Sequence, residues 1–417
     1  MPPKQRPFLS RITRAAGQLL LVTLLTLVAL EAATRLLLRG DDALNLFGRR
    51  VELLPRPLVS AADVASLQKL VQTPDSYLQY DPHLGWSVRP NARQTSGGAT
   101  YTSNSIGIRS LTEFSPLPPG GVIRLAAFGP SFTHGDEVND DQTWEAQLQR
   151  MQPNLEVMNW GLGGYGLDQS FLRYKLYGAA YHPDIVIIGS EEGTWGRNAI
   201  RFPPFRNTRL LPVVKPVYAL QADELTLIEN PYQNFDEFYH ALLQEPEQFL
   251  AAICPGDYFC DETRYRRYPL DGLAAFRLLR TLQAEVTAQA EPQTAKKATL
   301  ARITTRVTAA FVTEVRQNGA TPLAVFYPTR FETMQAFENG TLNQYHTQMA
   351  ALKDAAQVDA IDLAPAFVQA KQQQNLNYQD FFVGPDGRGH YNALGNQVVA
   401  RAILNHLCQH QHLPDCS

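Results

Sequence analysis

The chain is poor in the features that most quickly assign a protein to a class. Four cysteines in 417 residues are too few for a disulfide scaffold. Neither sign of charge is in surplus: 37 Lys+Arg against 40 Asp+Glu leave a formal charge of −3, which offers nothing to neutralise a phosphate backbone and excludes nucleic acid as a partner. There is no P-loop, no dinucleotide fingerprint and no zinc-knuckle spacing, so no metal and no organic cofactor is expected. Internal repeats and low-complexity tracts are missing too, which excludes solenoids and linkers. What is present is a globular composition, 44% hydrophobic and 18% charged, far from the signature of disorder. At about 100–200 residues per domain, the length suits one large domain with insertions, or two domains.

One long apolar run breaks the average. Residues 15–38 carry only Gln18, Glu31 and Arg35 as strongly polar side chains around the centre LLLVTLLTLVAL. As a helix at ~1.5 Å per residue the run reaches roughly 36 Å, enough to cross a hydrocarbon layer of ~30 Å. A cleaved signal peptide is the rival reading, but Glu31 and Arg35 stand where a small-x-small cleavage site would lie. We therefore expect a signal anchor, with residues 1–40 as a cytoplasmic tail and span and the body outside the cytoplasm. Basic residues flank both ends, so orientation rests on the cysteines. Cys254 and Cys260 are six apart and Cys408 and Cys416 eight apart, spacings that suit two short-loop disulfides in an exported body. A metal site built from His406, Cys408, His410, His412 and Cys416 is the competing reading, and alternate residues on a helix end point in different directions.

Beyond the anchor, residues 41–119 are rich in Pro, Ser and turn signals and read as an irregular lead-in. Then the pattern changes. Ile123–Phe128, Leu155–Asn159, Asp184–Gly189, Pro322–Tyr327 and Val358–Leu363 are nearly continuous apolar runs, as expected of strands buried on both faces of a parallel sheet. Helical stretches alternate with them, at Gln142–Met151, Asp168–Ala179, Thr299–Gln317 and Asn392–His410. The alternation predicts an α/β fold with a doubly wound, flavodoxin-like, mainly parallel five-stranded sheet. The third and fourth strands are too far apart for a single crossover. The domain is therefore expected to come in two halves, 120–199 and 297–417, with a cap inserted over 200–296. That insertion contains a hairpin at Val217–Ile228, several aromatics and the Cys254–Cys260 loop.

Three segments bring reactive chemistry to this frame. Gly129-Pro130-Ser131-Phe132-Thr133-His134-Gly135 follows the first strand and presents Ser131 at the carboxyl edge of the sheet. Asn159-Trp160-Gly161-Leu162-Gly163-Gly164 follows the second strand, and its glycines let backbone N–H groups approach a ligand. His390 lies in a loop, Asp386-Gly387-Arg388-Gly389-His390, just before the last helix. Alone, each has a bland reading, respectively a helix N-cap, a tight turn and a solvated histidine; their order and placement argue for convergence.

In that order the chain resembles the SGNH, or GDSL-type, hydrolases over roughly residues 78–200 and 297–405. The family's first block, G-D-S-x-T-x-G, resembles Gly129–Gly135; its second-block glycine corresponds to Gly164 and its last-block histidine to His390, followed by Asn392 and Gly395. Tyr80-Asp81-Pro82, Gly85-Trp86, Pro90-Asn91 and Asn104-Ser105-Ile106-Gly107-Ile108-Arg109, together with Glu31 and Arg35, resemble membrane-anchored bacterial members. The resemblance implies Ser131 as nucleophile, His390 as base, Asp386 as the acid that orients it, and an oxyanion hole from the N–H groups of Ser131 and Gly164 plus a third-block Asn side chain.

Three departures accompany it. Pro130 replaces the block-one Asp, Asp386 stands four rather than three residues before His390, and Gly193 occupies the expected Asn position, with Asn198 the nearest substitute donor. Two functions are therefore expected to compete. One is an extracytoplasmic serine esterase, an O-acyl (acetyl) hydrolase or transferase acting on acylated envelope glycan or lipid. The other is a catalytically impaired protein that binds a glycan or an envelope protein partner, or serves as a structural subunit of a membrane assembly.

Overall fold

A computed structural model describes residues 6–39, 43–46, 49–72, 76–206, 210–221, 224–288, 293–339, 343–384 and 386–413. The chain divides into two compact units, one joining 1–58 with 261–295, the other joining 59–260 with 296–417. The inserted region is thus split between them. Residues 200–260 belong with the α/β sheet, whereas 261–295 belong with the N-terminal helix.

The larger unit holds a five-stranded sheet, β1 (Ile123–Phe128), β2 (Leu155–Asn159), β3 (Ile185–Ser190), β4 (Thr321–Phe326) and β5 (Asp359–Asp362). Its spatial order is β5-β4-β3-β1-β2, every neighbouring pair parallel. This is the doubly wound order with a switch point between β1 and β3, where open α/β sheets place their crevice. The apolar runs have the cause expected of them. Leu125 and Ala127 of β1 and Ile185 and Ile187 of β3 pack in one core with Trp144, Leu148, Val399 and Ile403 from flanking helices, while Phe128 turns to the opposite face against Tyr174 and Phe311. β1 and β2 have the bounds read from the sequence, and the other three strands differ by one residue at each end.

The lead-in is more ordered than its composition suggested. It forms two hairpins, Leu78–Asp81 with Gly85–Val88 and Arg93–Ser96 with Ala99–Thr102. Tyr80 accepts a hydrogen bond from Asn230 (2.9 Å) and donates one to the Tyr232 carbonyl (2.7 Å). It stacks on Phe238, so the lead-in and the first part of the insertion share an aromatic core. The insertion itself provides the hairpin Val217–Gln221 with Glu224–Ile228 and two helices, Phe235–Gln244 and Pro246–Ile253. Cys254 and Cys260 are disulfide-bonded; Cys416 lies outside the described residues.

In the smaller unit the helix Arg6–Leu37 includes a 24-residue stretch, Arg14–Leu37, long and apolar enough to cross a membrane; an 18-residue window within it has a mean hydropathy of 1.9 and is 6% buried. The charged pair near its end is satisfied. Glu31 accepts from Arg35 (2.6 Å) one turn away and from the N–H groups of Ala274 (3.1 Å) and Ala275 (2.8 Å), the start of the helix Ala274–Ala288. A carboxylate on a helix N-terminus satisfies orphan donors and complements the helix dipole. Of the basic run at 264–268, Arg264 pairs with Asp261 (3.2 Å) and Glu285 (3.3 Å).

Candidate active site

At the end of β1 the chain turns through Gly129 and Pro130 into a single helical turn, Ser131–His134, closed by Gly135 in the left-handed conformation (φ 77°). A Cβ on Gly129 would lie 2.1 Å from Thr133 Oγ1, so glycine is required for the turn to close. The turn leaves Ser131 at the carboxyl end of the sheet. Its Oγ lies 2.8 Å from His390 Nε2, although the two residues are 259 apart in sequence.

The other imidazole nitrogen does not face Asp386. That carboxylate is 64% exposed and pairs with Arg388 at 3.5 Å. The residue opposite His390 Nδ1 is Glu137, whose Oε2 accepts from Nδ1 (3.0 Å) and from the His390 backbone N–H (2.6 Å). Gly389 makes the approach possible, because a Cβ there would sit 2.4 Å from the same oxygen. Glu137 is held with φ 69°, a sparsely populated conformation for a residue with a side chain, on a loop that the lead-in pins. Arg109, buried, pairs with Asp140 (2.9 Å) and donates to the carbonyls of His134 (3.0 Å), Gly135 (2.5 Å) and Val138 (2.6 Å). The Tyr101 hydroxyl accepts from the Glu137 N–H at 2.7 Å. The sequence offered one signal for this arrangement, the Asn104–Arg109 motif, and it did not point to Glu137.

Electrostatics follow the geometry. Burial alone would push the His390 imidazole down, but the hydrogen bond it donates to Glu137 and the charges of Asp136, Glu137 and Glu191 outweigh it and hold the pKa above the usual histidine value. The hydrogen bond with His390 in turn holds the Glu137 carboxyl below the usual range. A second histidine sits close by. His134 is fully buried, and burial pushes its pKa down despite Asp136; its Nδ1 faces Asp136 Oδ1 (2.5 Å) and its Nε2 the Tyr77 hydroxyl (2.9 Å). A neutral His134 donating to Asp136 and accepting from Tyr77 meets both partners. It braces the turn from which the block-one Asp is missing.

Across from Ser131 the glycine-rich turn is fixed from two sides. Arg173 donates to the carbonyls of Trp160 (2.9 Å), Gly161 (3.4 Å) and Gly107 (2.8 Å), and Trp86 Nε1 to the Gly163 carbonyl (3.3 Å). Gly164 has φ 82°, and a Cβ on it would lie 2.8 Å from Leu210 of the inserted region. Among the described residues neither the Ser131 N–H nor the Gly164 N–H has a protein acceptor, so both are free to meet a developing negative charge.

Among the described residues, neither Gly193 nor Asn198 provides the third donor. Gly193 lies in the first turn of the helix Glu192–Arg197, and its N–H donates to the Glu191 side chain. Glu191 is buried and also accepts from Arg197 (2.6 Å). Its carboxylate is the group after β3 whose charge reaches His390. Asn198 is not a substitute, because its amide is spent on the N–H of Leu167 (2.7 Å) and on Thr304 (2.9 Å).

No family model and no curated protein sequence matches the chain. Among solved structures it is similar to an acetyl xylan esterase at 14% identity, covering 68% of this chain and 100% of that one, TM-score 0.37. A variant of an acetyl xylan esterase from Geobacillus stearothermophilus is similar at 13%, covering 70% and 96%, TM-score 0.33. A member of the lipolytic protein G-D-S-L family from Veillonella parvula is similar at 10%, covering 68% and 97%, TM-score 0.34.

Proposed function

We propose that this chain is a membrane-anchored serine esterase of the SGNH type, an O-acyl hydrolase or transferase whose body lies outside the cytoplasm and acts on acylated envelope glycan or lipid. The observation that carries the reading is the unbroken relay Ser131 Oγ–His390 Nε2 and His390 Nδ1–Glu137, at 2.8 and 3.0 Å. In it Ser131 attacks the acyl carbon while its proton passes to His390 Nε2. Glu137 accepts from Nδ1–H, selects the tautomer and stabilises the imidazolium that forms. The N–H groups of Ser131 and Gly164 receive the oxyanion. Collapse of the tetrahedral intermediate breaks the ester C–O bond, and His390 returns the proton to the leaving alkoxide. Water, or an acceptor hydroxyl in a transferase, then attacks the acyl-enzyme with His390 again as base. The 24-residue apolar helix supports anchoring, and the Cys254–Cys260 bond supports an oxidising compartment.

The second reading, a binding or structural protein that does no catalysis, is favoured by one observation: at Gly193, where a third oxyanion donor is expected, there is no side-chain donor and the backbone N–H is taken by the buried carboxylate of Glu191. Fluorophosphonate labelling separates the two. We expect covalent labelling of Ser131, lost in Ser131→Ala together with turnover of a small aryl acetate. An unlabelled, inert and well-folded wild type would favour the binding protein.

A further inference from the structure

Remote from the Ser131 site, the last helix and the sheet edge form a cluster whose two histidines the sequence pointed to but whose carboxylate it did not. His406 and His410 are four apart on the helix Ala393–Gln409 and at its cap, hence on one face, and their rings stack with centroids 4.1 Å apart. Between them reaches Asp359, the first residue of the edge strand β5. Its Oδ2 lies 2.7 Å from His406 Nε2 and 3.7 Å from His410 Nδ1, and its Oδ1 is held by the Ala360 N–H at 2.8 Å. One ligand atom from each residue falls within 4.8 Å of the others. The objection raised by the sequence, that alternate residues on a helix end diverge, applies to Cys408 but not to this pair.

We propose that Asp359, His406 and His410 bind one divalent transition-metal ion, zinc being the best match. Tetrahedral zinc bound at about 2.0–2.2 Å requires ligand atoms roughly 3.3 Å apart, and the separations of 2.7 and 3.7 Å bracket that value. Two imidazoles select a borderline ion over Mg²⁺ or Ca²⁺, which prefer oxygen. The Ala360 N–H orients the carboxylate, the kind of outer contact that sharpens a metal site. His410 is about half exposed, which leaves a path for entry and a fourth position for water. Asp359 starts its strand, whereas Ser131 follows the end of one, and a 17-residue helix at ~1.5 Å per residue puts roughly 25 Å between its two ends. The ion would therefore tie the last helix to the sheet edge and take no part in ester chemistry.

The test uses the full chain in detergent, stripped of metal and titrated calorimetrically with ZnCl₂ near pH 7.5, with MgCl₂ as the hard-ion control. We expect one Zn²⁺ per chain, no binding of Mg²⁺, and anomalous scattering at the zinc edge between the three side chains. His410→Ala and Asp359→Asn should each weaken zinc binding at least about tenfold, the scale on which lost metal-site contacts act, with aryl-acetate turnover unchanged. Absence of stoichiometric zinc binding to the wild type overturns the proposal. So does wild-type affinity in a folded His410→Ala variant, which would place the ion elsewhere; Asp359→Asn provides the same reading should His410→Ala fail to fold.

Discussion

Glu137→Gln is the substitution on which the catalytic reading stands. Glutamine keeps the shape and one acceptor oxygen but removes the charge 3.0 Å from His390 Nδ1. The carboxylate is 42% exposed, so its field is screened, and an effective dielectric constant of about 40–80 is suitable. At that distance the charge is worth about 1.4–2.8 kcal/mol to the imidazolium, which corresponds to a loss of about 10–100-fold in kcat. KM should hardly change, since the imidazolium forms only as the reaction proceeds. The pH profile gives an independent readout. His390 must be neutral to accept the Ser131 proton, and its pKa is held above the usual value, so activity should rise with pH through a limb above about 6.5; in Glu137→Gln that limb should move to lower pH. Asp386→Asn is the control, expected within about twofold of wild type, because Asp386 is exposed and, among the described residues, its ion pair is with Arg388. The assay is hydrolysis of an aryl acetate across pH by the detergent-solubilised chain. A greater loss from Asp386→Asn than from Glu137→Gln would refute the assignment.

Three further outcomes are expected. Glu191→Gln removes a second negative charge facing His390, so the acid limb should again move to lower pH, while kcat at high pH should hold or rise as the oxyanion loses a repulsive neighbour; a limb that stays in place would mean that Glu191 does not face the base. The pH dependence of folding runs the opposite way to that of activity: a raised His390 pKa contributes stability that is present below the unfolded value near 6.5 and is lost as pH rises through the folded value. Lys215 and Asp168 form an ion pair in which both side chains are buried. Lys215→Met should therefore cost about 3–5 kcal/mol by stranding the carboxylate, and adding Asp168→Asn should recover most of it, as read by denaturant unfolding. Replacing Cys254 and Cys260 by Ser opens a loop with a sequence separation of 6 and should cost about 2 kcal/mol on the loop-entropy model, with non-reducing peptide mapping of the wild type confirming the bond.

Much of this protein is written in short stretches of sequence, because a strand buried on both faces must be apolar throughout and a span must be apolar for about 20 residues. β1 and β2, the long apolar N-terminal helix, the serine at the end of β1 and the histidine before the last helix could all be located in that way. What a side chain at Gly193 would meet could not be judged so: a Cβ there lies 2.8 Å from both Glu191 carboxylate oxygens. The partner of the histidine was equally hidden. Asp386, four residues before His390, was the local choice, whereas Glu137 lies 253 residues away. It arrives there because Arg109 gathers the carbonyls of its loop and Gly389 leaves room for its carboxylate. Local sequence determines which segments can be strands, helices or spans, since those depend on periodicity and burial within one segment. Which carboxylate meets the imidazole, and which histidines meet Asp359, depends on how loops and helix ends from distant parts of the chain pack, and only the tertiary structure decides that.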